Sequence, residues 1–333
     1  MSDLLPGRIN RRRFLSNASA LGAASLLGLP RAASAEPPPE VKKIRMIHAP
    51  SICLAPQLLA GELLRLEGFS EIEYVELTVN KLSSEVAKGV ADLSMVAAPE
   101  VIPVLDAGEP VMLLAGIHSG CYELFGTDRV RKIRDLKGST VAISAAGSPE
   151  QTYISSIVAY LGMDPKKDVH WVIGESSADA LRLFIEGKAD AFLAFPPQPQ
   201  ELRRRGIGRL IVDTAKDRPW SQYFCCVVVA NREFVRNNPV ATKRALRAML
   251  KGADICAQDP ERAARYLVEK RYEPRYAVAL EVVKDLPYRR WRDAEPEDTV
   301  RFHALRLYEA GIIKTSPAKL IAQGTDWRFL NEL

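Results

Sequence analysis

Two stretches of the chain, 44–97 and 140–195, are written to one plan. In the first, an apolar strand (44–49) runs into the loop Ser51-Ile52-Cys53 and an apolar-periodic helix (55–66) closed by Gly68, and later Gly89-Val90-Ala91-Asp92 leads into the strand 93–97. In the second, the strand 140–145 runs into Gly147-Ser148 and a helix (149–161) closed by Gly162, and Gly187-Lys188-Ala189-Asp190 leads into the strand 191–195. Internal repetition on this scale specifies two similar lobes. Loops at the carboxyl ends of parallel strands are where open α/β sheets bind ligands, so two facing lobes predict a cleft between them.

Between these landmarks strand and helix patterns alternate. In the first unit strands fall near 44–49, 72–77, 92–97 and 111–116, with helices at 55–67, 82–88 and 99–107. The second has strands near 140–145, 169–173, 190–195 and 209–213, with helices at 149–161, 177–186 and 197–205. Such alternation specifies an α/β fold of two doubly wound lobes with mainly parallel sheets. Beyond Tyr223 a β-rich run to Ala230 gives way to helices at 239–258, 260–270, 297–310 and 317–321.

The first 35 residues stand apart from this pattern. Arg11-Arg12-Arg13-Phe14-Leu15 precedes an apolar, small-residue run (18–29) and then Ala33-Ser34-Ala35, an A-x-A cleavage signal, which together read as an export peptide. Paired arginines before Phe-Leu, with a weakly apolar core, point to the twin-arginine route and its translocase. The chain is expected in the periplasm, soluble after cleavage near Ala35, with 36–42 as a stiff Pro-rich spacer. Five arginines and Asp3 leave with the leader, so 41 basic and 40 acidic residues remain and the net charge falls from +5 to +1. That near-neutral balance excludes an electrostatic nucleic-acid binder. Arg203-Arg204-Arg205 and Arg289-Arg290-Trp291-Arg292 read as solvated helix ends.

Several motifs together carry a family resemblance: the leader, Glu67-Gly68-Phe69, the double G-x-A-D strand, Ile133-Arg134-Asp135-Leu136-Lys137-Gly138 before Thr140-Val141-Ala142, and Asn238-Pro239 with Asp259-Pro260-Glu261 in a helical tail. The chain resembles type II periplasmic solute-binding proteins of ABC importers, in the nitrate, sulfonate and taurine group that includes NMT1/THI5-like proteins. The resemblance implies a receptor that delivers a small molecule to an ABC transporter permease and its ATPase. It also implies two crossings between lobes, placed near His118–Phe125 and Tyr223–Ala230, so the two lobes would share a two-strand hinge with the ligand cleft between them. Lobe 1 would then hold 43–120 with 226–333, and lobe 2 would hold 121–225.

The pocket residues follow from the repeat. Ser51, Cys53 and Gln57 occupy the first strand-to-helix junction, and Ser144, Gly147, Ser148, Gln151 and Thr152 the matching one. Ala98 follows the first G-x-A-D strand, and His118 and Ser119 stand at the first crossing. A Ser or Gly loop opening a helix offers backbone N–H groups and the positive end of the helix dipole, which suits an anion, although Ser148 before Pro149 is also an ordinary helix cap. Phe195 and Gln198 follow the second G-x-A-D strand, and Trp220 and Tyr223 adjoin the return crossing. Aromatic walls favour a small organic anion, sulfonate- or carboxylate-like, over an inorganic one.

No G-x-S-x-G, H-E-x-x-H, Walker or C-x-x-C motif occurs, so no catalytic residue is assigned and neither a cofactor nor a metal is expected. The histidines His48, His118, His170 and His303 lie far apart and show no ligand spacing. A single-turnover or cofactor-bearing enzyme on the same scaffold, or a receptor serving a sensor protein, are the alternatives. The cysteine count is odd, and export of an already folded chain means that no disulfide is needed for folding. If the two crossings run side by side, Cys121 lies near Cys225 or Cys226, and strand alternation lets only one of that pair face it.

Overall fold

The two repeat units build two five-stranded sheets. A computed structural model describes residues 36–49, 51–77 and 81–333; the export leader expected over 1–35 lies outside them. The first sheet has the order β2-β1-β3-β10-β4, with β1 Lys43–His48, β2 Glu71–Glu76, β3 Leu93–Ala97, β4 Val111–Ser119 and β10 Phe224–Asn231. The second has the order β7-β6-β8-β5-β9, with β5 Glu123–Gly126, β6 Ser139–Ile143, β7 Val169–Ile173, β8 Ala191–Ala194 and β9 Arg209–Asp213. In each, the first strand of the unit pairs parallel with its two neighbours, while β10 and β5 run antiparallel between theirs. Four strands thus run one way and the fifth against them. That fifth strand is the one arriving from the other sheet.

The repeated G-x-A-D turns have a structural task. Asp92 accepts from the Arg45 backbone N–H at 2.8 Å and from its guanidinium at 2.7 Å, while the Asp92 N–H donates to the Arg45 carbonyl at 2.9 Å. Asp190 repeats the arrangement, accepting from Thr140 N at 2.9 Å and donating to its carbonyl at 2.7 Å. Each aspartate ties the start of the inner strand of its sheet to the strand entering beside it. The preceding glycines, Gly89 and Gly187, have φ of +75° and +70°, a left-handed conformation that residues with a Cβ adopt at a cost.

Helices cover both sheets: α1 Ala55–Leu66, α2 Leu82–Ala87, α3 Ala98–Asp106, α4 Pro149–Tyr160, α5 Ser177–Ile185 and α6 Gln198–Arg205. The tail after β10 adds α7 Arg232–Asn237, α8 Pro239–Gln258, α9 Pro260–Glu269, α10 Tyr276–Asp285, α11 Pro296–Glu309, α12 Pro317–Gly324 and α13 Arg328–Asn331. Buried Glu67, of the Glu67-Gly68-Phe69 motif, fastens α1 to α8 by accepting from Arg247 Nε at 2.9 Å and Lys251 Nζ at 3.2 Å.

The crossing expected as one strand over 118–125 is instead two strands broken by a turn. Gly120, at φ +56°, packs so closely on Ala215 that a Cβ there would lie 2.1 Å from the Ala215 Cα, and this lets the chain leave β4 for β5. The two crossing segments do lie side by side: β10 pairs antiparallel with β4, placing Cys226 opposite His118.

Nor are the arginine runs simply solvated. From the end of α6, Arg203 reaches Asp285 of α10 at 3.0 Å as well as Glu123, and Arg204 reaches Glu281 at 3.0 Å. Arg292 pairs with Asp254 at 2.6 Å. Further contacts join the two halves where α4 meets α11: Ser156 Oγ lies 2.9 Å from His303 Nδ1, and Tyr153 stacks edge-on against the same imidazole.

Candidate functional site

Three parallel strands from each sheet end at one cavity of about 590 Å³. His48 closes β1 and Ala49 and Ser51 follow it, Leu77 follows β2, and Val96 and Ala97 close β3. Opposite them, Ser144 and Ala145 follow β6, Glu175, Ser176 and Ser177 follow β7, and Phe195 follows β8. Both walls are therefore built from strand carboxyl ends, the position at which open α/β sheets bind ligands. Ser51 Oγ already bridges them, donating to the Pro196 carbonyl at 3.4 Å. Leu54, Leu82, Val96, Tyr122 and Phe195 give the lining an apolar share, and Tyr122 packs edge-on against Phe195 with ring centroids 6.1 Å apart.

Among the helix starts that open at this cavity, those of α3 and α5 differ in their caps. The first turn of α3 follows Ala97 without a side-chain cap, whereas Ser176 caps α5 by accepting from Asp179 N at 3.1 Å. Charged lining residues are Lys81, Lys88, Glu85, Glu100 and Glu175, of which Lys88 and Glu85 pair at 2.7 Å. Glu100 is only 4 % exposed; its Oε1 accepts from Ser83 N at 2.8 Å and its Oε2 has no hydrogen-bond partner. Burial pushes its carboxyl up to about 7, against the hydrogen bond from Ser83 and with help from the charge of Glu150. Near neutral pH Glu100 therefore spends much of its time as a neutral acid whose O–H can donate into the cavity. Glu150, in the first turn of α4, is raised by burial too, and accepts from Ser144 Oγ at 3.0 Å.

The family model described as NMT1/THI5 like matches residues 71–263, more than half of the chain. The chain belongs to the NMT1/THI5-like family. No curated protein sequence matches it. Among solved structures it is similar to the periplasmic nitrate-binding protein of Synechocystis PCC 6803, at 16% identity and a TM-score of 0.72 over 89% of each chain. It is also similar to the alkanesulfonate-binding protein of Xanthomonas axonopodis pv. citri, at 16% identity and TM-score 0.67 over 84% of this chain and 98% of that one. The aliphatic sulphonate binding protein of Escherichia coli gives 17% identity and TM-score 0.64 over 84% and 92%. At these identities the likeness is one of fold. No helix among the described residues is long and apolar enough to cross a membrane.

In this NMT1/THI5-like chain, Ser51, Cys53, Ser144 and Phe195 of the expected site residues line the cavity. The others lie behind it or elsewhere. Gln57 is fully buried and clamps β1 to β3, its Nε2 donating to the Ile47 carbonyl and its Oε1 accepting from Met95 N, both at 2.6 Å. Ala98 begins α3 one residue behind the lining residue Ala97, and Ser119 is buried where β4 ends.

The N–H groups around Gly147 and Ser148, expected to hold the ligand's charge, are already used. Gly147 N donates to Gln151 Oε1 at 2.7 Å, and Ser148 N donates to the Ala145 carbonyl at 3.2 Å. Ser148 itself caps α4 by accepting from Gln151 N, and Thr152 Oγ1 turns back to the Ser148 carbonyl. Gln198 Nε2 supports the lining residue Ser177 at 3.1 Å without itself facing the cavity. Trp220 and Tyr223 pack at the wrong end of α4. Trp220 meets Tyr160, the last residue of that helix, at 6.0 Å, and Tyr223 stacks on Phe302 at 4.1 Å. The cavity lies at the helix's first residue, Pro149, about 16 Å away at 1.5 Å rise per residue.

The expectation of no metal-ligand grouping is corrected by the folded chain. The ligating atoms of Cys53, His118, Cys121 and Cys226 all lie within 4.8 Å of one another, and all four residues are buried. Cys53, Cys121 and Cys226 line the cavity, with His118 behind them. Cys121 Sγ is 2.8 Å from Cys225 Sγ and 4.0 Å from Cys226 Sγ, so both neighbours approach it. Strand alternation fails here because the β10–β4 register slips on either side of Cys226. Burial works against charge on His118, yet the facing sulfurs of Cys226 and Cys53 outweigh it and raise the imidazole to about 10. The Cys226 thiol is drawn down by its neighbour Cys121.

Proposed function

We propose that the chain is the solute-binding receptor of an ABC importer and that its cleft takes a small organic anion. The observation that carries this reading is the convergence of strand carboxyl ends from both sheets on one part-apolar cavity of about 590 Å³, a size suited to a small organic molecule. The relatives in fold include nitrate- and alkanesulfonate-binding proteins, which take anions. In this chain the uncapped start of α3, Lys81 on the lining and the neutral acid Glu100 supply attraction and hydrogen-bond donors for one. The apolar residues favour an organic body over a bare inorganic ion.

In this reading residues 43–120 with 226–333 move as one lobe and 121–225 as the other, hinging at the paired crossings. The closed form engages a permease and its ATPase, and the chain reaches the periplasm through the twin-arginine translocase. A thermal-shift panel of organic sulfonates and carboxylates, each beside a neutral isostere, tests the ligand class. At 100 times its Kd a true ligand adds about 2.7 kcal/mol of stability. Shifts from the anions alone support the reading, and shifts from none of them, or equally from the isosteres, refute it. Replacing Arg11 and Arg12 with Lys should leave the protein uncleaved in the cytoplasm, and periplasmic accumulation of that variant refutes the export route.

A further inference from the structure

We infer that Cys53, His118, Cys121 and Cys226 form a binding site for one thiophilic metal ion of the zinc type, set in the floor of the cleft. The donor set is the first argument. Three cysteine sulfurs and one imidazole are a recurring tetrahedral zinc set, whereas calcium or magnesium would need oxygen ligands. Distance is the second. Bonds of about 2.3 Å to sulfur and 2.0 Å to nitrogen place tetrahedral ligand atoms about 3.5–3.8 Å apart. The four atoms here lie within 4.8 Å of one another, so side-chain movements of about 1 Å close the site around an ion.

The histidine supplies independent support. His118 is fully buried and its Nε2 has no hydrogen-bond partner, an arrangement that costs free energy unless something occupies that nitrogen. Its Nδ1 lies 3.4 Å from the Ser119 carbonyl. A metal-bound histidine characteristically donates its other N–H to a carbonyl or carboxylate, which leaves the ligating nitrogen with its lone pair free. Filler cysteines behave differently in this chain: Cys256 is just as buried and lies outside the group.

The four residues belong to the segments that join the lobes. Cys53 sits in the loop after β1, His118 is the next-to-last residue of the outgoing strand β4, Cys121 lies in the turn to β5, and Cys226 lies on the returning strand β10. An ion held by all four ties a cleft loop to both crossings and stiffens the chain where the lobes would hinge. Binding requires both the thiols and the imidazole to be deprotonated, so affinity rises with pH. The inference is independent of whether the cleft's solute is an anion.

The test uses the purified chain, reduced and free of chelator, offered Zn²⁺ or Co²⁺ and then gel-filtered. One equivalent of metal should remain by elemental analysis. The cobalt form should show thiolate-to-metal charge transfer and the intense visible bands of tetrahedral Co²⁺. Cys226→Ser and His118→Gln should each weaken binding by more than about 100-fold, because even groups that only support a metal ligand typically contribute 10–100-fold. Cys225→Ser and Cys256→Ser should retain the metal. Should a ligand variant fail to fold, the cobalt spectrum and a zinc-dependent rise in the melting temperature of the unaltered chain decide the matter. The inference is overturned by the absence of a retained equivalent, by an octahedral cobalt spectrum, by full retention in folded Cys226→Ser, or by a Cys121–Cys225 disulfide in protein recovered from the periplasm.

Discussion

Replacing Glu100 with Gln should stabilise the protein, and the gain should appear only as the pH rises. Glu100 lies in the cavity wall, 4 % exposed, with one carboxyl oxygen holding the start of α2 through Ser83 N and the other without a partner. Burial raises its pKa from the ordinary 4.5 to about 7. Across that window the folded chain keeps a proton that the unfolded chain has released, so the Glu100 contribution to folding stability falls as the pH rises from about 4.5 and levels off above about 7. At 1.36 kcal/mol per unit, the displacement corresponds to about 3 kcal/mol lost by the time Glu100 is fully ionised.

Glutamine keeps the oxygen that accepts from Ser83 and replaces the ionisable group with a neutral amide. Glu100→Gln should therefore match the parent near pH 4.5 and exceed it by about 3 kcal/mol near pH 8, measured by urea unfolding at a series of pH values. The same proton lets Glu100 donate to an anionic ligand, so anion affinity should fall as the pH passes about 7, and the variant should lose that dependence. A variant no more stable than the parent near pH 8, or a gap that does not narrow toward pH 4.5, refutes the reasoning.

Three further outcomes follow from the placement of side chains. Gln57→Leu should cost about 2–4 kcal/mol in unfolding free energy, because it leaves the buried Ile47 carbonyl and Met95 N–H without partners; a loss under about 1 kcal/mol would mean that water replaces the clamp. Phe195→Ala should weaken ligand binding measured by calorimetry, whereas Trp220→Ala should lower the melting temperature and leave the affinity of the folded protein unchanged. Burial of His303 between α4 and α11 lowers its pKa to about 3, so the unfolded chain takes up a proton there first. The His303 contribution to stability should then fall by about 2 kcal/mol between about pH 8 and pH 5, opposite in sign to that of Glu100, and His303→Gln should remove that part of the slope.

The repeat, the alternation of elements and the G-x-A-D turns were legible because each is a local pattern: α4 opens with Ser148-Pro149 and ends before Gly162, and β10 carries the run Val227-Val228-Val229. The helix α10 was not, since Arg275 offers no side-chain cap at its start. At the site, strand ends pointed to Ser51, Cys53, Ser144 and Phe195, and the same rule applied to β7 would have found Glu175, Ser176 and Ser177. What misled was chemistry read without geometry. Gln57, Gln151 and Gln198 looked like ligand donors, yet each satisfies a nearby backbone group. The sulfur and imidazole group had no spacing to read, because its members come from the first loop, the outgoing crossing and the return strand, and meet only when β1, β10 and β4 are assembled in the first sheet.

The most direct measurement is a crystal structure of the protein bound to the anion that stabilises it most. The account predicts density inside the cavity, with the anionic group within hydrogen-bond distance of Glu100 or of the first turns of α3 and α5, and the organic body against Tyr122 and Phe195. An anion bound outside the six strand ends, or a cavity filled by a cationic solute paired with an ionised Glu100, contradicts it.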